Sequence, residues 1–183
     1  MVTIRYPEPV DSAGGDLPPA RGKILLVDDD PAIRQVLVRL LAGEGYTAIP
    51  AANGIEALQF AEASEFDLVL LDLNMPLKDG WDTFEQLTAG NPLLPVIVIT
   101  ARNNQLFPAL ASGVGALMEK PLDFPKLFQT IRELLDEPAE SRLARLTGKL
   151  APFRHFPAPA KSAGQPKTAR PHQHHKTNEP HAK

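Results

Sequence analysis

Short runs of apolar residues, each followed by polar ones, recur along the chain. Three runs contain almost no polar residue: KILLVDD from Lys23, DLVLLD at 67–72 and PVIVIT at 95–100. Such runs are typical of strands buried on both faces of a parallel sheet. Two weaker runs, at 46–50 and 116–120, complete five predicted strands. Pro50 favours an edge position for the first of these two, because proline cannot donate to a sheet ladder.

Segments with apolar residues at helical spacing lie between the strands. They predict helices over 31–42, 53–63, 81–89, 104–112 and 123–136. Asp30 precedes the first helix and is interpreted as its N-cap rather than as a ligand. In the second helix, Ile55, Leu58 and Ala61 are predicted to face the core. Pro108 lies inside the fourth helix and is expected to kink or shorten it.

The alternation of strands with helices predicts one α/β domain with a doubly wound parallel sheet. Residues 1–21 are rich in proline and glycine and are interpreted as a flexible leader. Residues 139–183 are interpreted as a tail, with a short helix possible at 139–150 and disorder from Ala151 onward. Gly80 is assigned to a turn.

The distribution of charge also changes between residues 138 and 139, where the predicted tail begins. Residues 1–138 contain 10 Lys and Arg against 20 Asp and Glu, whereas residues 139–183 contain 9 against 2. The net charge of −3 therefore hides an acidic body and a basic tail. The histidines of the tail, which include the run HQHHK, are interpreted as an adventitious rather than a built metal site.

Composition excludes several classes of protein. The 183 residues include no cysteine, which rules out disulfide scaffolds, thiolate metal sites and cysteine nucleophiles. No apolar run approaches the roughly 20 residues that span a bilayer, and the N-terminus lacks the pattern of a secretory signal. A cytoplasmic protein is therefore expected.

Polar residues follow the central strands: Asp28 and Asp29, then Asp72, Thr100 and Lys120. In a doubly wound sheet these side chains converge at the carboxyl edge, where ligands bind. Crowded carboxylates repel unless a cation joins them, and oxygen ligands suit Mg²⁺. An aspartate can also attack phosphorus to form an aspartyl-phosphate, with a lysine offsetting charge on the phosphoryl group.

These motifs resemble the receiver domain of bacterial response regulators in two-component signalling. The resemblance covers about 23–136 and is carried by ILLVDDDPAIR, DLVLLDLNMPLKDG, VIVITA and the Lys120-Pro121 pair. It implies a flavodoxin-like fold with strand order 2-1-3-4-5, a receiver domain over 22–138 and a regulator rather than a turnover enzyme. No output domain is recognisable after residue 138, so a stand-alone receiver is expected.

The resemblance also implies a metal site and a phosphorylation site. Asp72 matches the phosphorylated aspartate. Asp29 matches a direct Mg²⁺ ligand, and Asp28 matches the acid that holds the metal through water. Asn74 matches the position whose backbone carbonyl binds the metal.

Thr100 and Lys120 match the hydroxyl and the lysine that meet the phosphoryl group, and the peptide bond before Pro121 is often cis in the family. The chain also departs from the family. Leu117 stands where an aromatic residue is common, and Arg102 occupies a position that influences phosphoryl lifetime.

The function implied is a phosphorylation-dependent switch. Its partners would be a sensor histidine kinase or phosphotransfer protein and an unknown downstream protein. Two alternatives remain, a phosphorylation-independent binding module and a receiver tethered to nucleic acid by its basic tail. A haloacid-dehalogenase-like phosphatase is disfavoured, because Asn74 replaces the second acid of its D-x-D motif.

Overall fold

The computed structural model describes residues 20–75, 80–102, 104–147 and 153–158. Within them, six parallel strands form one sheet in the order β2-β1-β3-β4-β5-β6. The strands are β1 Lys23–Val27, β2 Thr47–Ala51, β3 Leu68–Asp72, β4 Val96–Thr100, β5 Ala116–Glu119 and β6 Arg154–Phe156. The first five confirm the predicted order, with β2 and its Pro50 at one edge of the sheet.

Helices follow the strands in alternation until the end of the domain. They are α1 Pro31–Gly43, α2 Gly54–Ala63, α3 Gly80–Gly90, α4 Leu106–Ala111, α5 Phe124–Leu135 and α6 Ala139–Leu146. Aspartate or asparagine side chains cap three of them: Asp30, Asn53 and Asp123 each accept a backbone N–H of the first turn. None of the described helices is long and apolar enough to cross a membrane.

The sheet separates two apolar layers because its central strands are buried on both faces. Leu25 and Val27 of β1 face the layer that contains Phe60 and Phe84. Ile24 and Leu26 face the layer that contains Leu37, Leu41, Leu127 and Ile131. This burial explains the unbroken apolar runs, and it leaves the polar residues at the strand ends as the groups available for chemistry.

The predicted inner face of α2 is partly wrong. Ile55 is 55% exposed, whereas Ala57 and Phe60 are buried and Leu58 and Ala61 are half-buried. The cause is the close approach of α2 to α3. A Cβ atom built on Gly54 would lie 2.0 Å from Thr83 Oγ1. Glycine at this position lets α2 lie close to Thr83 of α3, and the next residue, Ile55, faces solvent.

Pro108 shortens the fourth helix, as predicted. The helix covers six residues, and Pro108 is the third of them. Proline is tolerated in a first helical turn because the N–H that it lacks has no partner there. The helix therefore begins only two residues before Pro108, rather than at 104.

The prediction of disorder from Ala151 is wrong for residues 153–158, where β6 extends the sheet beyond β5. Phe153 packs against one apolar layer and Phe156 against the other. A three-residue strand is too short to show a period, so its two aromatic anchors were the only signal. Residues 1–19 of the predicted leader over 1–21, and residues 148–152 and 159–183 of the predicted tail, lie outside the described residues.

Candidate functional site

Three carboxylates meet at the carboxyl edge of the sheet. Asp28 follows β1 directly and Asp72 is the last residue of β3, a neighbouring strand. Asp28, Asp29 and Asp72 each offer one oxygen, and these oxygens lie within 4.8 Å of one another. Asp28 and Asp72 are only 2% and 1% exposed, while Asp29 is exposed. The predicted acidic cluster is therefore assembled, and Asp29 forms its open side.

Lys120 joins the two buried carboxylates. It follows β5, precedes Pro121 through a cis peptide bond, and its Nζ lies 2.6 Å from Asp72 Oδ2 and 3.1 Å from Asp28 Oδ2. Burial lowers the pKa of Lys120, but hydrogen bonds and charge attraction from Asp72 and Asp28 outweigh it and raise the pKa above its ordinary value. Lys120 therefore remains a cation at neutral pH.

Backbone groups fix the orientation of both buried carboxylates. The N–H of Asn74 donates to Asp72 Oδ1 at 2.8 Å, and the N–H of Asp30 donates to Asp28 Oδ1 at 2.9 Å. The guanidinium of Arg34 donates to the backbone carbonyl of Asp28. Each carboxylate is thus held on one oxygen by the backbone and on the other by Lys120.

Asp30 does not take part in the cluster. Its Oδ1 accepts the N–H groups of Ala32 and Ile33, at 2.8 and 3.3 Å. This is the N-cap role that the sequence predicts for it.

Thr100 ends β4 beside the cluster and is fully buried. Its hydroxyl donates to Asn74 Oδ1 at 3.2 Å and accepts the N–H of Arg102 at 3.0 Å. The sequence singled out Asn74 for its carbonyl, whereas the structure adds a role for its side chain, which links Thr100 to the loop after Asp72. Nothing in the sequence pattern pairs these two residues.

Gly80 serves close packing rather than the predicted turn. It is the first residue of α3, and a Cβ atom built on it would lie 2.6 Å from the Cα of Leu73 and 3.1 Å from the carbonyl oxygen of Asp72. Only glycine fits there without moving the backbone beside Asp72. A glycine eight residues after Asp72 is the only signal that the sequence offers.

Leu117 of β5 is a position where the chain departs from the family pattern. It is buried in an apolar layer, where its side chain offers no hydroxyl to the site.

Trp81 of α3 packs edge-on against Phe84, with ring centroids 5.7 Å apart, and its Nε1 donates to Gln105 Oε1 at 2.9 Å. This bond joins α3 to the residue before α4, a link that the sequence did not indicate.

The donor set fits a hard divalent cation. Its ligand atoms are carboxylate oxygens from three residues, and two of these residues are shielded from solvent. Oxygen-only sets with an open side suit Mg²⁺, which retains several waters. Because the same cluster contains a buried aspartate beside a lysine and a hydroxyl, it also has the groups needed to accept a phosphoryl group.

Known structures share this fold. A CheY-like response regulator receiver domain protein from Methanospirillum hungatei JF-1 aligns with a TM-score of 0.61 and 32% identity, over 64% of this chain and 95% of that one. The response regulator protein TrrA from Thermotoga maritima, in complex with Mg(2+)-BeF, aligns with a TM-score of 0.57 and 30% identity, over 61% and 97% of the chains.

Curated relatives are longer than the region they share with this chain. The transcriptional regulatory protein ZraR of Klebsiella oxytoca is 41% identical over 123 residues, which are 66% of this chain and 27% of the relative. The response regulator MprA of Mycobacterium ulcerans (strain Agy99) is 36% identical over 128 residues, 65% of this chain and 55% of the relative.

A family model gives the same assignment from sequence. The model of the response regulator receiver domain matches residues 24–132, from the second residue of β1 into the last turn of α5. The match includes the acidic cluster, Thr100 and Lys120. The chain therefore belongs to the response regulator receiver domain family.

Proposed function

We propose that this receiver domain is a phosphorylation-dependent switch of two-component signalling, and that Asp72 is its phosphoacceptor. The observation that carries the proposal is the position of Asp72 Oδ2, buried and 2.6 Å from a lysine ammonium that also binds Asp28. A structural ion pair requires one acid for one lysine. Two buried acids and a third within 4.8 Å indicate a site built to receive further positive charge and a phosphoryl group.

Asp72 acts as the nucleophile. A carboxylate oxygen attacks the phosphorus of a phosphohistidine, the new O–P bond forms as the P–N bond breaks, and the imidazole leaves with a proton from solvent. The N–H of Asn74 and the ammonium of Lys120 hold the carboxylate in one orientation, so little rearrangement precedes attack. Lys120 then offsets the negative charge on the phosphoryl oxygens.

Thr100 completes the binding of the phosphoryl group. Its buried hydroxyl is already bonded at 3.2 Å to Asn74, which lies two residues beyond Asp72. Rotation about one side-chain torsion frees this donor for a phosphoryl oxygen. Asn74 would then lose one hydrogen bond, so the loop after β3 would respond to the chemical state of Asp72.

A divalent cation belongs to the same proposal. Asp28, Asp29 and Asp72 would hold Mg²⁺, with the backbone carbonyl of Asn74 as a further ligand. When bound, the ion supplies charge neutralisation for the phosphoryl oxygens and orients them.

The proposed partners follow from the family. A sensor histidine kinase or a phosphotransfer protein would supply the phosphoryl group, and output would occur through contact with a downstream protein. Tethering to nucleic acid by the tail receives less support, because basic residues of its described part are already engaged. Arg145 and Arg154 pair with Glu137 and Glu133, and Arg142 donates to backbone carbonyls of α5.

Acetyl phosphate tests the proposed function directly. We expect one phosphoryl adduct by intact mass and by Phos-tag mobility, dependent on Mg²⁺, and we expect Asp72→Asn to abolish it. Asp136→Asn is the matched control, since Asp136 is an exposed aspartate at the end of α5 and lies outside the site. The control should react like the wild type.

A folded wild-type protein that forms no adduct, either with acetyl phosphate or with a phosphorylated histidine kinase, would contradict the proposal. The phosphorylation-independent binding module would then be the better interpretation. An adduct that persists in Asp72→Asn would place the reactive group elsewhere.

A further inference from the structure

A short segment after α6 returns to the sheet. We call residues 153–158 the C-terminal strap. Its three-residue strand, β6, pairs in parallel with β5, with Leu117 opposite His155 and Met118 opposite Phe156. The family model ends at residue 132, so the strap lies outside the region that defines a receiver domain.

Two aromatic residues seat the strap on the sheet. Phe153 packs against the layer that contains Leu117, and Phe156 packs against the layer that contains Met118. Lys126 of α5 places its Nζ 5.0 Å from the centre of the Phe156 ring. The strap therefore grips β5 from both faces as well as along its edge.

The end of the strap is fastened to Glu119, the last residue of β5. His155 Nε2 lies 3.0 Å from Glu119 Oε1, and the N–H of Ala158 donates to Glu119 Oε2 at 3.1 Å. The hydrogen bond from Ala158, followed by that from His155, holds the pKa of Glu119 below its usual value. Both oxygens of this carboxylate are thus committed to the strap.

Glu119 connects the strap to the candidate site. It lies opposite Thr100 in the pairing of β4 with β5 and directly precedes Lys120. The N–H of Lys120 donates to the carbonyl of Thr100 at 2.7 Å. A bond that fixes Glu119 therefore acts one residue from the lysine whose ammonium binds Asp72.

A second anchor lies on and just after α5. Arg154 Nε is 3.0 Å from Glu133 Oε2, and Arg154 Nη1 is 3.8 Å from Glu137 Oε1. The strap is consequently held at both ends of β6, so that its position relative to Glu119 is set by the domain itself.

We propose that the C-terminal strap is a positioning element for Lys120, with Glu119, His155 and the N–H of Ala158 as its coupling residues. By clamping the end of β5, the strap holds the backbone of Lys120 where its ammonium reaches Asp72. The inference rests on the proposed role of Lys120 in phosphorylation. Because coupling between two sites is reciprocal, an anion bound at Asp72 strengthens the attachment of the strap.

Two variants remove the coupling and leave the site residues unchanged. Ala158→Pro deletes the N–H that donates to Glu119 Oε2, because proline has no backbone donor. His155→Ala deletes the partner of Glu119 Oε1. We expect each variant to lower the rate of phosphorylation by acetyl phosphate by about fivefold, because misplacing a group beside the reacting atoms can cost up to about 100-fold in rate.

The control is Glu44→Gln. Glu44 pairs with Arg132 of α5 at 3.3 Å, and both side chains are more than a third exposed. Among the described residues, neither Glu44 nor Arg132 forms a hydrogen bond or ion pair with the strap. This variant should phosphorylate at the wild-type rate. Circular dichroism on all three variants checks that the fold is retained.

The reciprocal effect is measured on the wild-type chain of 183 residues by hydrogen exchange with mass spectrometry. Mg²⁺ and beryllium fluoride together serve as the probe at Asp72. We expect exchange in peptides covering 153–158 to slow by about fivefold on addition of the probe. In Ala158→Pro this protection should be lost.

The outcomes separate the two proposals. Slower phosphorylation in both strap variants, with probe-dependent protection of the strap in the wild type, supports the inference. The inference is overturned if both variants are phosphorylated at the wild-type rate. It is also overturned if hydrogen exchange in the strap is unchanged by the bound probe. In either case the phosphoacceptor role of Asp72 stands. If the wild type takes no phosphoryl group from any donor, the proposed function fails and the inference fails with it.

Discussion

At the scale of single residues, the site has an excess of negative charge that Lys120 balances only in part. The ammonium is shared by Asp28 and Asp72, while Asp29 lies with them on the exposed side of the cluster. Three carboxylates within 4.8 Å repel one another, and the repulsion that Lys120 does not offset destabilises the folded state when no divalent cation is bound. Stability and cation binding should therefore be linked.

Magnesium should stabilise the wild-type protein against thermal unfolding. A ligand at about 100 times its dissociation constant adds roughly 2.7 kcal/mol when it binds only the folded state. We expect Asp29→Asn to raise the melting temperature without Mg²⁺, since one repelling charge is removed, and to reduce the increase on adding Mg²⁺. Differential scanning calorimetry with and without EDTA measures both effects.

Asp136→Asn again serves as the control and should respond to Mg²⁺ like the wild type. Equal magnesium responses of Asp29→Asn and wild type would argue against Asp29 as a ligand.

Residues at strand ends could be predicted from sequence, whereas their partners in loops could not. Asp72 and Lys120 are predictable because a buried parallel strand places its next polar residue at the carboxyl edge. The bond from Thr100 to the Asn74 side chain and the bond from Trp81 to Gln105 depend on the path of the loops, which no hydrophobic period specifies.

At the scale of elements, the positions of the helices depend on where small residues permit close contact. Gly80 allows α3 to begin against Leu73 and Asp72, and Gly54 allows α2 to approach Thr83. At this contact α2 buries Ala57 and Phe60 and leaves Ile55 facing solvent. A period of 3.6 residues predicts that an inner face exists, but side-chain volume at the contacts decides which residues form it.

Gly80→Ala should lower the free energy of unfolding by about 1–3 kcal/mol, as overpacking of a close contact usually does. The new Cβ would lie 2.6 Å from the Cα of Leu73, so backbone must move. Gly43→Ala is the matched control, since a Cβ at Gly43 meets nothing within 4 Å. It ends α1 and should be neutral or stabilising by up to about 1 kcal/mol.

Urea unfolding followed by circular dichroism compares these two variants. Equal stabilities of Gly80→Ala and Gly43→Ala would show that the loop after Asp72 absorbs the extra atom. Phosphorylation of Gly80→Ala should also slow, because the displaced backbone carries Asp72.

At the scale of the whole molecule, the domain has a fixed interior and an attached strap that relies on ionised groups. Hydrogen bonds from Arg154 and then Gln129 hold the pKa of Glu133 below its usual value, as those from Ala158 and His155 do for Glu119. A depressed carboxyl pKa contributes stability above the unfolded-state pKa of about 4.5, and this contribution is lost as pH falls through the lower folded-state pKa. Acid should therefore loosen the strap.

We expect the strap to detach below about pH 4.5, before the central strands unfold. Backbone amide shifts of His155 and Phe156, recorded by NMR from pH 6 downward, should move toward random-coil values while that of Leu70 in β3 does not. Loss of the strap and of Leu70 in a single transition would show that the strap is part of the cooperative core.

The strap was also the part of the fold least predictable from sequence. Residues 139–183 carry many prolines and an excess of positive charge, a composition that favours disorder. Within this segment, Arg154 forms an ion pair with Glu133 and Phe156 packs against an apolar layer of the sheet. Neither contact is local in sequence. The five-stranded α/β order was predictable because it follows from local alternation, whereas the sixth strand depends on long-range contacts.

The position of β6 in the chain has a consequence for biosynthesis. His155 and its partner Glu119 are 36 residues apart in sequence, which a ribosome translating about 5–20 residues per second covers in roughly 2–7 s. During that interval the first five strands can assemble while β5 is an open edge, able to pair with another nascent chain. Translation speed across this stretch, and chaperones that shield the edge until β6 emerges, should thus influence how much of the protein is made without aggregation.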